Sequence, residues 1–177
     1  MAGTVLCEGR NEAYEEGPSE RPSGAGPLGG TPLAHAEMNA LGAARTGWDL
    51  GGTTLWSTQE PCGMWAAAAE FTGVGEVRYL APDPWAPAGG SGTGAEAEGG
   101  VWLLAANVMF LRSVVAAAQG PGEPRIPAHH RTAEPETASL HDALPPGLPA
   151  SPAVETWPAP LWPAVRQAAA SRASRTS

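Results

Sequence analysis

The chain has 177 residues, a hydrophobic content of 42% and a net charge of −8 at neutral pH, which fits one globular domain of ordinary size. The acidic balance disfavours a nucleic-acid groove, because contacts with a phosphate backbone require a basic surface. Two cysteines are too few for a disulfide framework, and the N-terminus lacks a signal-peptide pattern, so we expect a cytoplasmic protein.

The first half of the chain predicts strands that alternate with helices. In chain order these are a strand at 4–8, a helix at 34–45, a strand at 53–57, a helix at 62–71 that Gly73 ends, and a strand at 76–80. The alternation predicts an α/β fold. Between the first strand and the first helix, residues 17–30 have the composition of an irregular loop.

A long apolar run follows a Gly-rich linker at 87–100 and predicts a helix at 101–118. Leu104, Val108, Leu111 and Val115 repeat at helical spacing and are expected to face a core. Arg112 interrupts the run, and a charge at this position is costly in a bilayer, so we expect no membrane association.

The remainder of the chain, 119–177, is rich in proline. Residues 121–163 contain 11 prolines, which favour neither helix nor central strand. We therefore expect a largely irregular, mobile tail, with one short helix from about 163 to 173.

Metal-ligating and acid–base residues stand at the starts of two predicted helices. His35-Ala36-Glu37 opens the first helix, and Pro61-Cys62 opens the second. Imidazole and thiolate are zinc ligands, and the positive end of a helix stabilises a thiolate. A nearby carboxylate that does not bind the metal can transfer protons.

This combination resembles the zinc-dependent cytidine and deoxycytidylate deaminase-like superfamily, whose members carry His-x-Glu followed by Pro-Cys-x-x-Cys. Asn39-Ala40-Leu41 after the first motif and Thr58-Gln59-Glu60 before the second strengthen the resemblance. Gly9-Arg10-Asn11 and Ala81-Pro82-Asp83-Pro84-Trp85 look like the branch of nucleoside, guanine and tRNA-adenosine deaminases. The resemblance extends from Thr4 to Trp85.

The resemblance implies a three-layer sheet with flanking helices and the hydrolytic deamination of a purine or pyrimidine base or nucleoside. His35 and Cys62 would then be zinc ligands, Glu37 the proton shuttle, and Asn11 a substrate contact. It also allows a homodimer through the helix that contains Ala66 to Phe71. The net charge favours a small substrate over a nucleic acid.

Two departures from the family pattern affect what the resemblance implies. Trp65 stands where the family has its last cysteine ligand, and an indole has no lone pair for a metal. Family members also have a helix and a strand before the segment that here begins at Thr4. Residues 1–86 are therefore expected to be a partial deaminase-like core, either because the gene start is misplaced or because the chain is a truncated remnant.

These departures leave two hypotheses open. The chain is either a base or nucleoside deaminase whose activity Trp65 impairs, or a non-catalytic deaminase-like protein that serves as a binding or assembly partner. Bound zinc would distinguish them. The residues that could replace the lost ligand are Cys7, His129, His130 and His141.

Overall fold

The computed structural model describes residues 3–13, 26–84, 93–94, 100–118, 120–145 and 160–177. Helices and strands both occur in these ranges, which confirms the predicted α/β class. The helices are α1 (Ala36–Ala43), α2 (Gly63–Thr72), α3 (Val101–Ala117), α4 (Arg125–Ala133), α5 (Pro135–Asp142) and α6 (Trp162–Thr176). The strands are β1 (Thr54–Gln59), β2 (Glu76–Ala81) and β3 (Thr93–Gly94).

The strands form one sheet in the order β1-β2-β3. Near the start of β1 and β2, Glu76 N donates to Thr53 O at 3.1 Å, and at their ends Glu60 N donates to Ala81 O at 2.9 Å. The two strands therefore run parallel, with α2 as the connection between them. Of the predicted Gly-rich linker, the structure describes only 93, 94 and 100, and the first two of these form β3.

The chain divides into two compact units, which we describe separately. The first comprises Met1–Ser57, Pro61–Arg78 and Pro87–Thr93, and the second comprises Thr58–Glu60, Tyr79–Ala86 and Gly94–Ser177.

In the first unit, α1 and α2 pack against each other. His35 is the N-cap of α1 and Cys62 is the N-cap of α2, so the sequence correctly predicts that both motifs open helices. Gly73 ends α2 in the left-handed conformation, with φ 75°. Trp65 and Ala69, one turn apart, form the buried face of α2.

The predicted strand at 4–8 is wrong, because Gly3–Arg10 belong to no helix or strand. A strand is stable when a neighbour completes its hydrogen bonds and its apolar side chains are covered. Neither condition holds here: Val5 is 75% and Leu6 50% exposed, and the strands of the described residues pair with one another.

In the second unit, α3, α5 and α6 share one apolar core, and α4 packs against α3 and α5. Leu104, Val108 and Leu111 of α3 are buried as their spacing predicts, whereas Val115 is exposed. α5 contributes Leu140 and α6 contributes Val165 to this core. No helix of the described ranges is long and apolar enough to cross a bilayer.

The expectation of a largely irregular tail is wrong for residues 120–145, which contain α4 and α5, whereas α6 confirms the short terminal helix predicted from about 163 to 173. Three prolines occur at the first three positions of these helices, where the backbone N–H has no intrahelical acceptor and its loss costs little. They are Pro127 in α4, Pro135 in α5 and Pro163 in α6. The tail was also predicted to be mobile. Residues 146–159, to which this prediction partly applies, lie outside the described residues.

Candidate functional site

The first unit brings two of the predicted site residues together. His35 Nδ1 and Cys62 Sγ lie 3.9 Å apart. Both residues are helix N-caps with extended backbones, and neither side chain caps its own helix. The packing of α1 against α2 therefore places an imidazole and a thiol side by side at the N-termini of two helices.

Glu37 lies in the first turn of α1 and is 8% exposed. Its Oε1 accepts a short hydrogen bond from the hydroxyl of Ser57 on β1. A buried carboxylate that accepts such a bond is held in one orientation, which an acid–base group requires. The sequence does not indicate the role of Ser57, because the contact depends on how β1 packs against α1.

Trp65 is 2% exposed and belongs to the interior of the first unit. It follows Cys62 by three residues and so lies on the same side of α2. The position at which the resemblance implies a second thiolate is therefore occupied by a large apolar side chain with one N–H donor.

Asn11, the predicted substrate contact, is exposed, and its Oδ1 accepts a hydrogen bond from Ala13 N at 3.1 Å. Within the described part of the chain, no hydrogen bond joins Asn11 to the side chains of His35, Glu37 or Cys62. The amide is thus engaged in a local turn of its own loop.

A buried network that the sequence does not predict holds this loop on α1. Asn39 Nδ2 donates to Arg10 O at 3.0 Å and to Glu12 Oε2 at 3.3 Å, and its Oδ1 accepts from Leu28 N at 2.9 Å. Gly9 approaches α1 so closely that a Cβ there would lie 2.1 Å from Ala36 O. The only feature of the sequence that pointed to this network was Asn39, which belongs to the Asn-Ala-Leu motif after His-x-Glu.

The zinc implied by the resemblance can be tested against these residues. With bond lengths of about 2.0 Å to nitrogen and 2.3 Å to sulfur, a tetrahedral zinc separates two such donors by about 3.5 Å. The 3.9 Å between His35 and Cys62 fits two ligand positions. Catalytic zinc has three protein ligands, however, and within the described ranges no group of three His, Cys, Asp or Glu side chains could hold a metal. The residues present do not fit a complete zinc site.

The candidate substitutes for the lost ligand have other surroundings. Cys7 is half-buried. His129 Nε2 donates to Pro84 O at 2.9 Å, His130 Nδ1 donates to Ile126 O at 3.1 Å, and His141 Nδ1 lies 3.2 Å from an oxygen of Asp142. Nothing in this geometry supports any of the four as a replacement.

Comparison with known proteins gives one match. The family model described as the cytidine and deoxycytidylate deaminase zinc-binding region matches residues 2–81, less than half of the chain. This range contains Asn11, His35, Glu37, Cys62 and Trp65. No curated protein and no solved structure matches the chain. The match supports the deaminase superfamily for this part of the chain and zinc as the metal of that family.

Proposed function

We propose that the chain is a deaminase-family protein related to hydrolases that deaminate a purine or pyrimidine base or nucleoside, and that Trp65 impairs its activity. One observation carries the proposal. Within the range that the family model matches, His35 Nδ1 and Cys62 Sγ lie 3.9 Å apart at the N-termini of α1 and α2. Glu37 is buried in the first turn of α1.

In hydrolytic deamination, the oxygen of water replaces a ring amino group, which leaves as ammonia. A carboxylate takes a proton from the water and returns it to the substrate or to the leaving group. Glu37 suits this role because it is buried and oriented by the Ser57 hydroxyl.

The proposed impairment follows from the ligand set. Zinc in this family supplies the activated water, and His35 and Cys62 alone leave the metal one protein ligand short. We expect activity far below that of a complete site. The buried indole of Trp65 also occupies the position on α2, three residues after Cys62, where the family has its second thiolate.

The proposed substrates are small, and a homodimer and a cytoplasmic location belong to the same proposal. The net charge of −8 supports free bases and nucleosides over tRNA or single-stranded DNA. Ammonia release from both classes at two salt concentrations tests this point. Faster turnover of a polynucleotide, with a steep salt dependence, would contradict it.

Replacement of Trp65 by cysteine tests the proposal as a whole. Trp65→Cys adds a thiolate three residues after Cys62 and completes a His-Cys-Cys set. We expect the variant to release ammonia from a base or nucleoside faster than the wild type, and Glu37→Gln in the same background to abolish the gain. A zinc-loaded Trp65→Cys protein without ammonia release would favour the non-catalytic alternative.

A further inference from the structure

We propose that the second unit binds an aliphatic α-amino acid, as its zwitterion, in a cavity at the C-terminal ends of α3 and α5. The cavity has a volume of about 400 Å³, which lies within the range of small-molecule sites. All of its lining residues come after residue 81, where the match to the deaminase family model ends, so the inference goes beyond the proposed function. The lining residues are Arg112, Val115, Ala116, His141, Asp142 and Leu144.

Two features of α3 that core packing does not explain occur at this cavity. Val115 continues the apolar repeat of the helix, yet 41% of it is exposed, and it lines the cavity. Arg112 is the one charged residue between 101 and 118, and it lines the cavity as well. Because the two positions are three residues apart, they lie on one face of the helix. α3 therefore presents an apolar group and a cation to the same space.

The two helices contribute charges of opposite sign. From α3, the guanidinium of Arg112 can bind a carboxylate through two parallel hydrogen bonds, and its five N–H donors allow this beside other contacts. From α5, Asp142 contributes a carboxylate that Arg131 holds in place, since Nη1 donates to Oδ2 at 2.5 Å and Nη2 donates to Oδ1 at 3.3 Å. His141 Nδ1 lies 3.2 Å from the same Oδ1. A carboxylate accepts about four hydrogen bonds, so Asp142 retains an acceptor site for an ammonium group.

The surroundings of Asp142 make this side of the cavity favourable for a cation. Arg131 is shared between Asp142 and Glu123, to which its Nε donates at 2.6 Å, so the three groups together carry one negative charge. α3 and α5 both end at the cavity, and helix C-termini carry a partial negative charge. A simple anion would be repelled here, and a simple cation would be repelled by Arg112. A zwitterion, in contrast, meets a partner for each of its charges.

The rest of the lining is apolar and suits an aliphatic side chain. Val115, Ala116 and Leu144 contribute methyl and methylene groups. An aliphatic group placed against Val115 removes exposed apolar surface from water, which favours binding. A carboxylate, an ammonium and a small apolar group occur together in amino acids such as leucine.

A series of matched compounds tests the proposal on the full-length wild type, with binding followed by protein NMR. The compounds are L-leucine, isocaproate, which lacks the ammonium, isoamylamine, which lacks the carboxylate, and glycine, which lacks the apolar side chain. We expect L-leucine to bind at least about tenfold more tightly than each of the others, because each of them loses a charge-assisted hydrogen bond or the apolar contact. The amide signals that shift should belong to the C-terminal ends of α3 and α5.

Three outcomes of this series would overturn the proposal, and none of them depends on a variant. The first is the absence of saturable binding by L-leucine. The second is an affinity for isocaproate or isoamylamine equal to that for L-leucine, which would indicate a site for a simple anion or cation. The third is a set of shifted signals outside α3 and α5.

Two variants then assign the contacts through the preference between ligands, which a general loss of structure would not change selectively. Arg112→Gln should abolish the preference for L-leucine over isoamylamine and keep the preference over isocaproate. Asp142→Asn should do the reverse. Glu136→Gln is the matched control, because Glu136 also lies on α5 and pairs with an arginine, Arg175, but does not line the cavity. An equal change of preference in Glu136→Gln and Asp142→Asn would refute the assignment.

Discussion

Asn39 joins three segments of the first unit through a single side chain. Its amide contacts the loop at Arg10 and Glu12 and the loop at Leu28, while its backbone belongs to α1 beside Glu37. Glu12, almost fully buried, also accepts a hydrogen bond from Gly26 N at 2.8 Å. The start of α1 is thus fixed to two loops through buried hydrogen bonds.

We expect Asn39→Ala to lower the free energy of unfolding by about 2–4 kcal/mol, because it removes three hydrogen bonds and leaves buried partners unpaired. Asn11→Ala is the matched control. Asn11 is exposed with one local hydrogen bond, so the change should stay within about 0.5 kcal/mol. Urea denaturation followed by circular dichroism measures both, and equal effects would show that the network contributes little.

His130 is a second residue whose surroundings allow a prediction. It is fully buried, its Nδ1 donates to Ile126 O, and its Nε2 has no partner within the described residues. Burial lowers the pKa of this imidazole, while the charges of Asp83 and Glu134 act in the opposite direction and His129 adds to the lowering. The folded state therefore favours neutral His130.

The lowered pKa fixes the direction of a pH effect. The unfolded chain binds a proton at the ordinary histidine pKa of about 6.5, and the folded chain binds it only at lower pH, so the stability contribution is complete above 6.5 and is lost as the pH falls below it. We expect the unfolding free energy to decrease between pH 6.5 and 5 by up to about 1.4 kcal/mol per pH unit.

His130→Phe should make this part of the pH profile flatter. Arginines lower the pKa values of Glu136 and Asp142 in the folded state, so the stability that these carboxyls contribute is present above their unfolded pKa values, about 4 to 4.5, and is lost only as the pH falls below them. Denaturation at several pH values tests the prediction. An identical slope in wild type and variant would refute it.

Helices and strands were predictable where the sequence marks both of their ends. α2 begins after Pro61-Cys62 and ends at Gly73, and the sequence indicates both limits. α4 and α5 were not predicted, because prolines usually indicate irregular structure. Pro127 and Pro135 are compatible with a helix only because each lies in a first turn, and the sequence does not show this. The strand predicted at 4–8 was wrong although its residues have strand composition, because a strand also needs a neighbouring strand to pair with.

The C-terminal end of α2 allows a prediction about the stability of a single helix. Gly73 has φ 75°, where a Cβ costs about 1–2 kcal/mol. Gly73→Ala should therefore destabilise the protein by that amount. Gly63→Ala in the first turn of α2, where a Cβ meets nothing within 4 Å, should be neutral or stabilising by up to about 1 kcal/mol. Thermal unfolding compares the two, and the reverse order would contradict the assignment of the helix end.

For the molecule as a whole, the sequence predicted the α/β class. The resemblance assigned His35 and Cys62 to one zinc site, and the structure brings their side chains to within 3.9 Å, although no strand precedes α1 in the described residues. Glu37 was predicted as a proton carrier, but Ser57 as its partner was not. Contacts such as Ser57–Glu37 and Asn39–Glu12 join residues 20 and 27 positions apart, and no local pattern encodes them.

The central claim is that a buried tryptophan at the third ligand position leaves a deaminase-type site with two zinc ligands. The zinc content of the purified wild-type chain, measured by elemental analysis after exposure to excess zinc and removal of the unbound metal, tests it most directly. We predict well under one zinc per chain in the wild type and close to one in Trp65→Cys. One zinc per wild-type chain, lost in Cys62→Ala, would contradict the account.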